Sequence, residues 1–300
     1  MKHLAFPQRA QKLSLAAVGL VAALSLSACG ADAGTTASAP AAAADPQIQA
    51  LVPQEFRDAG SIEIAVDNAY PPMNFMQGDR MVGIEPEMWK AAGDLMGLEV
   101  KPTVVAFDSI VPALKSGRYD ASFAGFWITD ERVKEVDMVS FFQSGSQYLV
   151  RPDDAKGPIN AFDDLCGRTV ALHSGSYEMT YAENANKTCA EEGREPVVIQ
   201  GYKSQDQATL AVTSGRADTT GMGAEVAGYV AQLSNGKLKT AGEVFHQVEG
   251  GIALPQGSDL APAFQAAFAK LIETPRYKEI FAQWGLESAM IAESTSHTAK

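Results

Sequence analysis

Few side chains in this chain are arranged to move protons or electrons. Its four histidines are His3, His173, His246 and His297, and none stands in a motif with an acidic partner. Asp67, Glu178 and Glu225 are the acids that could act as general acids, but no Gly-x-Ser-x-Gly elbow or Walker loop accompanies them. Gly221-Met222-Gly223 lacks the third glycine of a dinucleotide fingerprint. The residues offer recognition instead. Ser174-Gly175-Ser176-Tyr177 opens a helical pattern, and the free N–H groups of a helix start can meet an anion. Cys166 and Cys189 close a loop with no His or further Cys at ligand spacing nearby, so they predict a disulfide rather than a metal site. By loop entropy such a bridge contributes roughly 3 kcal/mol.

The N-terminus says where that recognition takes place. Lys2, Arg9 and Lys12 precede an apolar run of 14 residues, Leu13 to Leu26, too short for a permanent spanning helix. The run ends in Leu26-Ser27-Ala28-Cys29, which resembles the lipobox of bacterial lipoproteins. That resemblance implies removal of residues 1–28 and a lipid on Cys29; as an ordinary secreted chain, too, the protein works outside the cytoplasm. A disulfide persists in such a compartment. Losing the leader's three basic residues takes the formal charge from −12 to −15. A surface so acidic repels phosphate backbones and anionic headgroups, which excludes nucleic acid as a partner and leaves membrane attachment to acyl chains on Cys29. Ala31 to Asp45 is Ala, Gly, Thr, Ser and Pro with few acids, so residues 29–50 are expected to be a lipid-anchored flexible linker. The roughly 240 residues left suffice for one large domain or two lobes of about 100 each.

The elements that must position the candidate residues alternate. β-Branched runs at 62–66, 100–105, 121–125, 169–172, 197–200 and 217–220 read as strands. Helical patterns at 85–96, 109–115, 130–136, 177–189, 204–213 and 225–233 lie between them. The alternation predicts α/β units with mainly parallel sheets. Ser116-Gly117-Arg118-Tyr119-Asp120 recurs as Ser214-Gly215-Arg216-Ala217-Asp218, each copy after an apolar helix and before a strand. The glycine suits the left-handed position that ends a helix. Two copies in one context predict two lobes built alike, with a cleft between them.

A larger resemblance runs through Asp67-Asn68-Ala69-Tyr70-Pro71-Pro72-Met73-Asn74-Phe75, Gly83-Ile84-Glu85-Pro86-Glu87-Met88 and Ile128-Thr129-Asp130-Glu131-Arg132. Asp164-Leu165-Cys166-Gly167-Arg168-Thr169-Val170-Ala171 and Tyr277 to Gly285 continue it in order. Over about residues 55–287 the chain resembles the family 3 extracellular solute-binding proteins, the polar amino-acid receptors of ABC importers. The resemblance implies a monomer with a two-lobe, type II periplasmic-binding-protein-like α/β fold and two hinge crossings, at 147–151 and 247–253. Lobe one would hold residues 51–147 and 252–290, lobe two residues 148–251 with the crossings, and 291–300 would be a polar tail. A small solute would bind between the lobes, and the closed form would dock on a membrane permease. Neither a cofactor nor a metal is implied.

Position by position, Arg132 matches the arginine that pairs with the solute's α-carboxylate. Tyr70 matches the aromatic that covers its side chain, and Asp67 the acid that reads it. Gly125 and Trp127 lie where main-chain and hydroxyl groups approach the solute, and Ser174, Ser176 and Tyr177 where the second lobe's helix start meets the carboxylate. Two departures bear on the solute. Trp127 stands where the family commonly has Ser or Thr, and Gly223 where it has the acid that clamps the α-ammonium. Glu225, two residues on, would need a shifted strand to substitute. A buried ammonium without a counter-charge is unfavourable, so Tyr70, Trp127 and Tyr177 could instead cage an alkylated cation. The expected function is capture of a polar amino acid or related carboxylate for an ABC importer, the alternative a betaine- or ectoine-like compound, and the remote alternative a cyclohexadienyl-dehydratase-like enzyme.

Overall fold

Two long strands organise the molecule, and no alternating pattern announces them. The computed structural model describes residues 44–299; the leader, Cys29 and the first part of the expected linker lie outside the described residues. The first stretch runs α1 (Pro46–Leu51), α2 (Gln54–Ala59), β1 (Ser61–Val66), β2 (Ala69–Tyr70), β3 (Asn74–Gln77), β4 (Arg80–Val82), α3 (Ile84–Met96), β5 (Glu99–Val104), α4 (Phe107–Lys115), β6 (Ala121–Trp127), α5 (Asp130–Val133) and the 14-residue β7 (Asp137–Val150). The second runs β8 (Thr169–His173), α6 (Tyr177–Glu191), β9 (Val198–Tyr202), α7 (Gln205–Thr213), β10 (Thr219–Gly223), α8 (Ala224–Leu233), β11 (Lys239–Thr240) and β12 (Phe245–Leu254). The chain then closes with α9 (Ala261–Ile272), α10 (Pro275–Ala282) and β13 (Ser296–His297).

The main sheet has the order β5-β1-β6-β12-β7-β10-β8-β9. β1 is parallel to β5 and β6, and β8 is parallel to β9 and β10, as βα units require. Between these halves β12 and β7 are antiparallel to each other and to their outer neighbours. The sheet is therefore mixed at its centre, because a chain that crosses between two lobes must come back the opposite way. The architecture is the two-lobe α/β fold with two crossings that the resemblance implied.

The repeated motif has a repeated structural job. Gly117 (φ 70°) and Gly215 (φ 77°) both take the left-handed conformation at the ends of α4 and α7. Asp120 Oδ2 accepts the Glu63 N–H of β1 at 2.7 Å, and Asp218 Oδ2 accepts the Thr169 N–H of β8 at 2.7 Å. Each aspartate thus ties its own strand to the neighbouring one. Cys166 and Cys189 are bridged with Cα atoms 5.7 Å apart, fixing α6 to the segment before β8.

Four expectations need correction. Residues 46–50 are not linker: Asp45 caps α1 by accepting the Gln47 N–H, and Ile48 and Val52 are buried against the core. The terminal segment is not a free polar tail. Ser294 is buried and donates to the Ser140 carbonyl at 2.7 Å, and β13 pairs with β7 at Met138 and Val139. The helix predicted over 130–136 stops at Val133, and the strand predicted at 217–220 is shifted to Thr219–Gly223.

Candidate functional site

Where the strands of the two halves end, side chains converge on one small cavity. Asp67 follows the end of β1 and is buried; its Oδ1 accepts the Asn68 N–H at 2.7 Å. Burial raises its pKa, and the His173 side chain across the cleft pulls it back. Tyr70 on β2 lays its ring on Gly125, where a Cβ would stand 2.9 Å from two ring carbons. Gly125 also has φ 62°, so its backbone and the ring both require glycine. Glu85, wholly buried in the first turn of α3, accepts the Gly125 N–H at 2.8 Å and meets the Asn74 amide. Burial lifts the Glu85 pKa to about 8, which keeps this carboxyl protonated at neutral pH.

Arg132 is placed by α5. Thr129 caps that helix by accepting the Arg132 N–H, and the guanidinium returns over the faces of Phe126 and Phe107, 5.2 and 5.7 Å from their centroids. Nη1 donates to the Trp127 carbonyl at 2.9 Å and Nη2 to the Gly175 carbonyl of the other half at 3.3 Å. Burial lowers its pKa to about 10, with Glu178 opposing, so it stays cationic at neutral pH. The second half answers with the start of α6. Ser176 caps it by accepting the Met179 N–H at 3.2 Å, the Tyr177 ring lies 4.8 Å from that of Trp127, and Glu178 is buried with Oε1 unpartnered. Burial raises the Glu178 pKa, partly offset by Arg132.

The cavity is about 20 Å³, room for about one water molecule. The halves are shut on each other. Besides the Arg132–Gly175 bond, the Gly223 N–H donates to the Tyr70 hydroxyl at 3.0 Å, and the Phe107 and His173 rings lie 5.0 Å apart.

Of the residues singled out from sequence, Asp67, Tyr70, Gly125, Trp127, Arg132, Ser176 and Tyr177 line this cavity together. Ser174 does not: its Oγ faces β9, 3.1 Å from where a Cβ on Gly201 would stand. Gly223 sits one layer back and meets the site through its N–H. Glu225 needs no shifted strand to reach Gly223's position. Its carboxylate folds back over Gly223, where a Cβ would collide with Oε1, and its Oε2 meets the Ser144 hydroxyl. Burial raises the Glu225 pKa to about 7. Sequence reading missed Phe107 and Gln205 and gave no recognition role to His173 or Glu178, all four of which line the cavity. Phe107 and Gln205 each open the helix that follows a strand, which is the signal that would have found them.

Around one guanidinium the site gathers two lining carboxyls, Asp67 and Glu178, with Glu85 and Glu225 behind them. Such an arrangement can pair an anion at Arg132 and a cation at the carboxyls, between aromatic walls.

The Arginine-binding protein ArgT of Corynebacterium glutamicum is 33% identical over 251 residues, covering 83% of this chain and 82% of that protein. The L-cystine-binding protein TcyJ of Escherichia coli is 27% identical over 76% of this chain and 84% of its own. The solved structure of an ancestral arginine-binding protein bound to arginine aligns with TM-score 0.67 at 29% identity, over 75% of this chain and 98% of that one. Residues 62–287 match the bacterial extracellular solute-binding proteins, family 3. The chain belongs to that family, whose amino-acid-binding members serve ABC transporters outside the cytoplasm.

Proposed function

We propose that this protein captures a cationic amino acid of the arginine type between its lobes and delivers it to a membrane permease, tethered to the cell membrane by a lipid on Cys29. The observation that carries the reading is the charge arrangement of the cavity. One guanidinium faces two lining carboxyls, so an α-carboxylate at Arg132 still leaves negative charge for a cationic side chain. Arg132 and the N–H groups at the start of α6 would hold the carboxylate; Asp67 and Glu178 would take the side-chain cation between Tyr70 and Phe107. The similarity to an arginine-binding relative over four-fifths of both chains supports it.

Loading requires opening. A 20 Å³ cavity does not admit an amino acid, so the Arg132–Gly175 and Tyr70–Gly223 bonds across the cleft must break first. A carboxylate then replaces the carbonyl acceptors at Arg132, a stronger, charge-assisted pair. Part of the roughly 8 kcal/mol of a micromolar solute offsets the opening and reclosing.

Calorimetric titration with L-arginine, L-lysine, L-glutamate and glycine betaine tests the proposal. L-Arginine binding tightest is the expected result; L-glutamate or betaine binding more tightly than either cationic amino acid overturns it. For the anchor, Cys29→Ala should move the protein from the membrane fraction to the medium or periplasm; unchanged fractionation would refute lipid attachment at Cys29.

A further inference from the structure

A second and larger cavity, about 410 Å³, lies against the same two crossing strands. Ser144 and Gln147 of β7 and Gln247 of β12 line it, with Glu225 and Tyr229 of α8 on one side and Trp284 on the other. Its volume falls within the range of small-molecule pockets. Glu225 carries the only formal charge among the described residues that line it. Glu225 as a whole is 6% exposed, with one carboxylate oxygen taken by the Ser144 hydroxyl and Oε1 buried without a partner. The Trp284 indole N–H is likewise buried without a partner, and its ring packs edge-on near Tyr229 at 6.3 Å. A buried carboxylate oxygen with nothing to accept from is unfavourable, and it is the group a cationic donor would satisfy.

We infer that this groove is a second binding site, for a small organic cation bearing N–H donors such as an alkylguanidinium or alkylammonium, with Glu225 as its counter-charge. The amide oxygens of Gln147 and Gln247 accept the remaining N–H groups, and the Tyr229 and Trp284 rings offer π-faces to the charge. α8 belongs to the half built on β10, whereas Trp284 follows α10 and packs against Phe75 of the other half at 5.5 Å. Lobe opening therefore changes the distance between the groove's walls. A cation held there binds the open and closed forms unequally, and by reciprocity it shifts solute affinity in the cleft. The inference stands apart from the identity of the cleft's solute.

The test is fluorine NMR on protein labelled with 5-fluorotryptophan, titrated with methylguanidinium chloride against sodium chloride at matched ionic strength. Trp89, Trp127 and Trp284 are the three tryptophans, so Trp284→Phe assigns the groove signal and Trp127 reports the cleft. The expected result is a saturable shift of the Trp284 signal that persists in Asp67→Asn and weakens about tenfold or more in Glu225→Gln. Gly228→Phe supplies an independent arm. No heavy atom lies within 4 Å of a Cβ there, so a larger side chain can start from α8 without a clash at its root and crowd the groove it lines; it should abolish the Trp284 shift. A Trp284 signal that moves no more than in sodium chloride overturns the inference. So does a shift lost in Asp67→Asn, or one that survives Gly228→Phe unchanged.

Discussion

The two halves of this molecule share a scaffold and differ in what they hang on it. In each, an apolar helix ends in a left-handed glycine, an aspartate ties the next strand to its neighbour, and that strand runs to the cleft. β6 delivers Gly125, Phe126 and Trp127 and leads straight to Arg132. β10 delivers Gly221, Met222 and Gly223 and leads to Glu225, whose carboxylate lies back over Gly223. Tyr70 touches both strand ends, its ring on Gly125 and its hydroxyl accepting from Gly223. The strand geometry recurs because it solves the same backbone problem twice. The chemistry does not recur: one half presents most of the charged and aromatic side chains, while the other supplies a helix start with His173, Tyr177 and Glu178.

The sharpest way to break this comparison is Arg132→Ala. If the first half supplies the anion pairing, the variant loses about 2–5 kcal/mol of solute affinity by calorimetry while its circular dichroism is unchanged. Undiminished affinity would move the recognition to the second half. Next is pH. Glu225 of the second half and Glu85 of the first both hold protons above the ordinary value of 4.5, to about 7 and about 8. The native state then binds more protons than the unfolded one, so stability is greatest below pH 4.5 on this account and falls as pH rises through 7 to 8. Glu225's share is about 3 kcal/mol; urea unfolding at pH 5 and pH 8 should show a shallower decline in Glu225→Gln, leaving that of Glu85 and the other buried carboxyls, Asp67 and Glu178. A decline equally steep in the variant would contradict the assignment.

Comparable in size, the Cys166–Cys189 bridge staples only the second half. Replacing both cysteines with serine should lower stability by about 3 kcal/mol. Hydrogen exchange should show the loss of protection at β8 and α6 before β1 and β6; uniform loss would mean that the halves unfold as one. The smallest effect concerns Gly223. Gly223→Ala should destabilise by about 1–2 kcal/mol, because the methyl displaces the Glu225 carboxylate from Ser144. In a Glu225→Ala background the same change should cost much less, and additive costs would show that the two positions do not compete.

Much of the site could be read in advance. Seven of its lining residues lie in local motifs whose order along the chain survives without any coordinates, among them Asp67 and Tyr70 before the double proline and Arg132 after Ile-Thr-Asp-Glu. Ser174 lies off the cavity because a residue beside a helix start can turn either way, and Gly201 leaves room for its hydroxyl on the β9 side. Phe107, His173 and Gln205 went unassigned because each is an ordinary residue locally and gains a role only where α4, β8 and α7 meet.

Local spacing and residue chemistry thus determined the pairing of Cys166 with Cys189, the doubled helix–glycine–strand unit and the guanidinium that lines the cavity. These depend on neighbours in the chain or on counts. The tertiary structure alone decided that β13 docks on β7, that Glu225 fills the space above Gly223, and that two carboxyls near neutrality sit behind the cleft. Burial and pairing between residues about 40 to 160 positions apart set those features, and no local pattern encodes the dielectric or the partner that a side chain will meet after folding.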